Sequence, residues 1–297
     1  MIEVSNLVKK YGDHTAVDHL SFQIEKGKIY GFLGPNGAGK STTMNMITGY
    51  IASTEGKVMI DGHDILEEPE AAKKCIGYLP EMPPLYFDMT VLEYMKFAAD
   101  LKKIPRNQKD KQIKEVMDMV KITDMKDRLI KNLSKGYRQR VGLAQAILGY
   151  PEVIILDEPT VGLDPKQIIE IRNLIKSLGR NHTIILSSHI LPEVQAVCER
   201  VIVMNNGCLV ADGATDTLAH DLSAEHRIIA RIDGPESEIL QAIRGMEHIV
   251  EVYSLGEKEK GVFEISIEGE PNYDLRRNLF ALLTRKGWPL LALRNTD

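Results

Sequence analysis

A glycine-rich segment near the start of the chain has the residue types and the spacing that bind phosphate groups. It reads Gly34, Pro35, Asn36, Gly37, Ala38, Gly39, Lys40, Ser41 and Thr42. The glycines allow backbone N–H groups to curl around an anion, and a helix that follows adds the positive end of its dipole. Lys40 is placed to reach β- and γ-phosphate, and the Ser41 hydroxyl can ligate Mg²⁺. The segment therefore predicts a nucleotide site.

The residues on either side of this segment support that prediction. Residues 29–33 are a short apolar run that predicts a buried strand, and residues 41–49 can be helical as far as Gly49. Strand, glycine-rich turn and helix form the context in which this pattern binds phosphate. The alternative is a glycine-rich turn that binds nothing, and the Lys40-Ser41 pair at its end disfavours it.

Polar side chains also follow two other predicted strands. Residues 153–156 are apolar and predict a buried parallel strand, and Asp157 and Glu158 come directly after it. In a chain with a phosphate loop, two carboxylates at the C-terminal end of a strand indicate metal binding and water activation. An ordinary acidic loop is the weaker alternative. His189 ends another predicted buried strand, 183–189, and either contacts phosphate or makes a structural hydrogen bond.

A helical and charge-rich block lies between these strands. Thr90 and Glu93 form a capping box at the start of one helix, and the many lysines that follow are interpreted as a solvated face. Ser134 can cap a later helix, whose N-terminus is a second candidate anion site. Tyr11, upstream of the phosphate loop, is on local evidence an exposed aromatic residue at a strand end.

Composition sets limits on the class of protein. The chain has 297 residues and a formal net charge of −5, which predicts about two domains and no broad nucleic-acid surface. No apolar run approaches the roughly 18 residues that span a bilayer. The three cysteines are scattered, which favours reduced thiols over a disulfide framework. We therefore expect any membrane role to depend on a partner.

The pattern changes after Gly213. The polar segment 223–226 predicts a linker, and residues 226–297 predict strand, helix, strand, strand, helix, strand. That order is typical of a small ferredoxin-like α+β domain. Helices are expected at 235–243 and 272–286, and a final strand at 288–293. The alternation from Phe263 to Glu268 predicts a strand with one buried face and one face in water.

The motifs taken together resemble the ATP-binding cassette (ABC) family, the nucleotide-binding subunits of ABC transporters. GPNGAGKS, LSKGY, VIILDEP, GLD and the strand-end histidine occur in one order over Gly34–His189. The resemblance covers residues 1–218 and implies an α/β P-loop NTPase cassette with a mixed sheet core, N-terminal antiparallel strands and a helical subdomain at about 85–150. GYLPE, LSKGYRQR and the C-terminal extension look more narrowly like ATPases of exporters of the drug, polysaccharide and gliding-motility type.

The resemblance implies a role for each motif residue in binding ATP and Mg²⁺. Tyr11 matches the aromatic that stacks on adenine, which replaces the local interpretation of this residue. Gly34 to Thr42 match the phosphate cradle, with Ser41 on Mg²⁺. Asp157 matches the carboxylate that holds Mg²⁺.

Hydrolysis is also assigned by resemblance. Glu158 matches the general base, and His189 matches the histidine that contacts the γ-phosphate. Two such cassettes pair head to tail, so Ser134 and Gly136 of one copy are expected to complete the site of the other.

Three positions depart from the family pattern. Glu81 stands at the position that the Q-loop glutamine usually holds in this family. A carboxylate there can bind Mg²⁺ or water, but it adds negative charge near the γ-phosphate. Lys135 and Tyr137 replace the commoner glycine and glutamine, while Ser134 and Gly136 are kept.

Function follows from the resemblance as an expectation. The leading hypothesis is an ATPase that powers a membrane exporter, working with separate transmembrane permease subunits and a second cassette. It would be cytoplasmic, peripheral on the inner face of the cell membrane, with no nucleic acid as partner. The alternative is a non-transport ABC ATPase acting on DNA or ribosomes, which the acidic charge and the single cassette disfavour. A ligand-sensing C-terminal domain is compatible with the leading hypothesis.

Overall fold

The computed structural model describes residues 1–215, 227–270 and 273–295. The chain forms two compact units, Met1–Leu218 and Ala219–Asp297. The predicted linker at 223–226 lies outside the described residues. Residue 272, the first residue of a predicted helix, lies outside them too. Within the described ranges, no helix is long and apolar enough to cross a membrane.

The first unit alternates strands with helices in the way that the apolar runs predict. Its elements are β1 (Ile2–Tyr11), β2 (His14–Ile24), β3 (Ile29–Leu33), α1 (Lys40–Ile47), β4 (Glu55–Ile60), β5 (His63–Asp64), α2 (Pro69–Lys74), β6 (Ile76–Leu79), α3 (Val91–Leu101), α4 (Arg106–Met119), α5 (Lys135–Ile147), β7 (Val153–Leu156), α6 (Pro165–Leu178), β8 (Thr183–Ser188), α7 (Leu191–Gln195), β9 (Arg200–Asn205) and β10 (Cys208–Ala214).

The central sheet of this unit has the order β10-β9-β3-β8-β7-β6. Its inner strands pair in parallel, β10 pairs antiparallel with β9, and every residue of β3, β7 and β8 is buried. Because the C-terminal ends of parallel strands meet at one edge, the residues after β3, β7 and β8 are brought together. This edge holds the predicted site.

A second, antiparallel sheet has the order β2-β1-β4-β5. Its apolar face shares one core with the central sheet, where the rings of Phe22 and Phe32 meet edge to face with centroids 5.2 Å apart. The mixed core and the N-terminal antiparallel strands confirm the predicted cassette fold.

The helical block consists mainly of α3, α4 and α5. The predicted capping box is present, since Thr90 Oγ1 accepts from the Glu93 N–H and Glu93 accepts from the Thr90 N–H. The interpretation of the block's lysines as a solvated face is wrong for Lys102. Its ammonium donates to the carbonyls of Ala146 at 3.1 Å and Leu148 at 2.6 Å, because α5 ends against α3 and leaves those carbonyls without helical partners.

The second unit is a four-stranded antiparallel sheet with two helices. Its elements are β11 (Arg227–Asp233), α8 (Glu236–Arg244), β12 (Ile249–Glu259), β13 (Val262–Gly269), α9 (Arg276–Lys286) and β14 (Leu290–Asn295). The strand order β12-β13-β11-β14 and this element order confirm the ferredoxin-like prediction.

Three local predictions for this unit are wrong. Helix α9 begins at Arg276 and not at 272, since residues 273–275 are not helical, and β14 begins at Leu290 and not at 288. The polar face of β13 is not in water either: Glu264 and Ser266 are both buried, and long basic side chains from the other strands of the sheet cover Glu264. Arg231, Lys258 and Arg294 surround the Glu264 carboxylate at 3.0, 3.6 and 3.5 Å, and the hydrogen bond from Arg231 lowers the pKa of Glu264.

Candidate nucleotide-binding and hydrolysis site

A cavity of about 590 Å³ lies at the edge of the central sheet where β3, β7 and β8 end. It brings together residues that are far apart in the chain but belong to the predicted site. The lining residues are Tyr11, His14, Ala16, Asn36, Gly37, Ala38, Gly39, Lys40, Ser41, Thr42, Glu81, Glu158, Val161 and His189.

The phosphate loop is shaped by close backbone contacts. A Cβ atom on Gly34 would lie 2.2 Å from the Met204 carbonyl oxygen, so only glycine fits between the loop and β9. Gly39 has φ of +97° directly before α1, a left-handed conformation that favours glycine. The loop therefore ends with the free N–H groups of α1 at the cavity.

Lys40 is buried and folded back onto its own loop. Its ammonium donates to the carbonyls of Gly34 at 2.7 Å and Pro35 at 3.1 Å, and lies 3.9 Å from Glu158 Oε1. Gly34 and Pro35 thus contribute through these carbonyls and do not line the cavity themselves. The cation can exchange these contacts for phosphate oxygens without leaving the cavity.

Asp157 is held between hydroxyls from two elements. Ser41 Oγ donates to Asp157 Oδ1 at 3.2 Å, and Ser187 Oγ donates a short hydrogen bond to the same oxygen. Strand pairing explains the meeting, because β7 and β8 run side by side with Leu156 opposite Leu186. A hydroxyl and a carboxylate are thereby placed side by side at the start of α1.

Those two groups fit Mg²⁺. This ion takes hard oxygen ligands, usually only one or two from the protein, with water and substrate phosphates completing its octahedron. The described residues contain no group of three His, Cys, Asp or Glu side chains that could hold a metal ion. Glu81 is exposed on the wall of the same cavity.

Glu158 also lines the cavity, and its side chain is buried. Its φ of 46° is left-handed, and its N–H donates to Ser187 Oγ at 2.9 Å, which holds the backbone in this uncommon conformation. His189 Nδ1 lies 3.1 Å and 3.2 Å from the two carboxylate oxygens. Burial raises the pKa of Glu158, opposed by His189 and Lys40. A carboxylate with a raised pKa, facing a cavity, is suited to accept a proton from water.

Other predicted site residues lie at the rim or outside the cavity. Tyr11 ends β1, is 52% exposed, and has the Lys9 ammonium 5.2 Å from its ring centroid. Ser134 caps α5 by accepting from the Tyr137 N–H, which confirms the predicted cap. Ser134 and Gly136 are not among the residues of the described chain that line the cavity.

Some residues of the site were not predicted. Ser187 joins Asp157 to the Glu158 backbone, and Glu193 accepts hydrogen bonds from Thr160 and Ser188 just behind the site. Adjacent serines that end an apolar strand were a usable signal for Ser187. Glu193 had no signal of its own.

Comparison with known proteins places the chain in a family. The sequence profile described as ABC transporter matches residues 17–161. The linearmycin resistance ATP-binding protein LnrL of Bacillus subtilis is 34% identical over 85% of this chain and 81% of its own length. The chain belongs to the ABC transporter ATP-binding proteins. It is therefore an ABC ATPase and binds ATP.

Two further relatives of this cassette agree with the assignment. The bacitracin transport ATP-binding protein BcrA of Bacillus licheniformis is 40% identical over 73% of this chain and 71% of its own length. A dimeric structure of the ATP-binding cassette MJ0796, in a post-hydrolysis state bound to ADP and Pi, matches with a TM-score of 0.66 and 26% identity, over 72% of this chain and 99% of that one.

Proposed function

We propose that this cassette is the ATP-hydrolysing subunit of a membrane exporter, and that two cassettes pair head to tail around ATP. The observation that carries the proposal is the single cavity that gathers the phosphate loop, Lys40, Glu158 and His189 while Ser134 and Gly136 lie elsewhere. Such a cavity can bind the phosphates and activate water, and Ser134 and Gly136 of a second cassette would close it.

Binding of ATP is assigned to the loop and its neighbours. The N–H groups of the loop residues that line the cavity, Asn36 to Thr42, would surround the phosphates, with Lys40 turning from its loop carbonyls to the β/γ-phosphate oxygens. Tyr11 would stack on adenine, since its ring is exposed at the cavity rim. Mg²⁺, held by Ser41 and Asp157, would neutralise charge on the phosphates.

Hydrolysis is assigned to Glu158 and His189. Glu158 would accept the proton of the attacking water, because its raised pKa makes it a stronger base than an exposed carboxylate. His189, already at hydrogen-bond distance from Glu158, would orient the carboxylate and contact the γ-phosphate. Positioning and electrostatic stabilisation contribute most to phosphoryl transfer, so these few groups suffice.

Pairing of two cassettes is supported by the dimeric relative MJ0796. Ser134 and Gly136 begin α5, and the N–H groups of a helix N-terminus favour an anion. In a head-to-tail pair they would contact the γ-phosphate held by the other copy. Asp164, which caps α6, would lie at the interface between the two sites.

A membrane partner is supported by the surface next to the cavity and by the relatives. Met82 is 85% exposed and Tyr86 54% exposed, just after Glu81, which lines the cavity. Exposed apolar side chains beside a nucleotide site suit a docking surface for a permease. The relatives LnrL and BcrA are named for linearmycin resistance and bacitracin transport. The C-terminal unit is proposed as an accessory domain.

The proposal is tested by recovering the partner from membranes. Tagged chain would be used to capture proteins from detergent-solubilised membranes of its own source, with Met82→Asp as the matched variant. We expect a multi-span membrane protein with the wild-type chain and much less with the variant. Recovery of ribosomes or DNA in place of a membrane protein would contradict the exporter assignment.

A further inference from the structure

Glu193 is a buried carboxylate that lies behind the catalytic edge and does not line its cavity. It belongs to α7, the short helix that follows His189. Its Oε2 accepts from Thr160 Oγ1 at 2.6 Å and from Ser188 Oγ at 3.3 Å, and its Oε1 lies 3.4 Å from an Arg172 guanidinium nitrogen. One carboxylate therefore joins three separate segments of the chain.

Two of those segments carry the hydrolytic residues. Thr160 follows Glu158 by two positions, and Ser188 directly precedes His189. Both hydroxyls are buried, and Ser188 Oγ also accepts from the Ile190 N–H at 3.1 Å, so the loop on either side of His189 is tied to this point. A second hydrogen-bonded bridge, from Thr160 through Glu193 to Ser188, thus links the same two segments as the Glu158–His189 contact.

A buried charge at this position needs its partners. A carboxylate removed from water is costly unless it is hydrogen-bonded and paired, and here the hydroxyls and Arg172 meet that need. Arg172 is on α6, so this helix is joined to the same carboxylate. Movement of α6 would therefore pull on both hydrolytic segments.

We propose that Glu193 is a positioning residue for hydrolysis, holding the Thr160 and Ser188 segments so that Glu158 and His189 stay at bonding distance. This inference rests on the proposed function of Glu158 and His189. A carboxylate that only stabilises the fold would affect unfolding but not the geometry of the two hydrolytic residues. The two roles predict different outcomes for the same substitutions.

Two variants loosen the bridge while keeping side-chain size. Thr160→Val removes one hydroxyl donor, and Glu193→Gln removes the negative charge that pairs with Arg172 and that accepts from both hydroxyls, leaving weaker neutral contacts. We expect kcat for ATP hydrolysis to fall about tenfold or more in both, because small displacements of reacting groups are expensive. ATP affinity should change less than about twofold, since the phosphate loop is not touched. The double variant should be no slower than the slower single one.

Thr183→Val is the matched control. Thr183 is buried on the same strand as Ser188 and accepts from the Gly27 N–H at 2.9 Å, but at the opposite end of the strand. Like Thr160→Val, the Thr183→Val variant loses a buried threonine hydroxyl, but it should keep wild-type kcat. A loss of kcat that Thr183→Val shares, or wild-type kcat in both bridge variants, would overturn the proposal.

A second readout needs no nucleotide. The His189 ring resonances, assigned with His189→Gln, would be compared by NMR in the nucleotide-free chains. They should shift in Thr160→Val and Glu193→Gln and stay in place in Thr183→Val, and unchanged resonances in all three would overturn the proposal. An inactive wild-type chain, or an active Glu158→Gln, would contradict the proposed function, and the NMR comparison would still decide the role of Glu193.

Discussion

At the scale of single residues, the site depends on a carboxylate held in an uncommon conformation. Glu158 has left-handed backbone angles, and non-glycine residues persist there only when their surroundings fix them. Ser187 does so from the neighbouring strand, accepting from Glu158 and donating to Asp157. One hydroxyl therefore orients both the proposed metal ligand and the backbone of the proposed base.

The first residue-scale prediction concerns Glu158→Gln. The amide cannot accept the water proton, while Ser41, Lys40 and Asp157 remain in place, so kcat should fall at least about 100-fold with ATP affinity nearly unchanged. Steady-state ATPase assays and equilibrium nucleotide binding measure the two quantities. Lys40→Ala is the contrasting variant, because it should lose nucleotide affinity. Wild-type turnover in Glu158→Gln would remove Glu158 as the base.

The pH profile follows from the environment of Glu158. Its base form is the ionised one, and burial raises its pKa above the ordinary value of 4.5. As pH falls through that raised pKa, the carboxylate is protonated and kcat should decline, while higher pH restores it. Measuring kcat at saturating ATP across acidic pH checks this. A kcat that stays flat until the pH reaches the ordinary titration range of an exposed glutamate would contradict it.

Glu81 gives a third prediction at this scale. Its carboxylate is exposed on the cavity wall, so it can reach either a metal-bound water or a docked partner. If it contributes to the metal, Glu81→Gln should raise the Mg²⁺ concentration needed for half-maximal ATPase activity several-fold, because a negative ligand is lost. An unchanged Mg²⁺ dependence would leave Glu81 as a coupling residue only.

At the scale of elements, Lys102 joins the ends of two helices. Burial lowers its pKa to about 8 from 10.5. Between those values the unfolded chain binds a proton that the native chain lacks, so the contribution of Lys102 to stability rises with pH. The free energy of unfolding of the wild type minus that of Lys102→Met should increase by about 2 kcal/mol when the pH rises from about 7.5 to about 9.5.

Denaturant unfolding at the two pH values measures this difference. Lys103→Met is the control, since Lys103 is exposed and its ammonium lies 3.8 Å from an exposed Glu70 carboxylate. The control should show little pH dependence. An equally flat difference for Lys102→Met would mean that its ammonium is not desolvated in the native chain.

Elements were predictable from sequence wherever an apolar run or a cap defines them locally. The strand at 153–156 and the Thr90 cap depend on neighbouring residues alone, and both are present. Lys102 and Glu264 could not be foreseen, because their burial depends on elements far away in sequence, the end of α5 for one and the arginines of β11 and β14 for the other. A charged residue in a period-2 or helical pattern is expected in water unless the tertiary partner is known.

Part of the candidate site was predictable because local sequence patterns define it as well. Lys40 and Ser41 are given by a contiguous motif, and Asp157 and His189 by their places at strand ends. Ser187 and Glu193 act through side-chain hydrogen bonds across the sheet edge. Those bonds depend on strand order and register, which no local pattern in the sequence determines.

At the scale of the whole molecule, the proposed pairing means that one chain holds half of each hydrolysis site. The cavity of this chain contains the phosphate loop and the base, while Ser134 and Gly136 lie outside it. ATP bound between two copies would then join them, and hydrolysis would release them, converting a local event into a rigid-body movement.

The most direct measurement of this claim is the mass of Glu158→Gln in solution with Mg²⁺ and saturating ATP, by sedimentation or light scattering. We predict a dimer with ATP, a monomer with ADP, and a monomer with ATP when Ser134→Arg is added, because the arginine would block the helix end that meets the phosphate. Nucleotide binding measured in parallel should show full occupancy in each case. A monomer with ATP fully bound, or a dimer that Ser134→Arg leaves intact, would contradict the account.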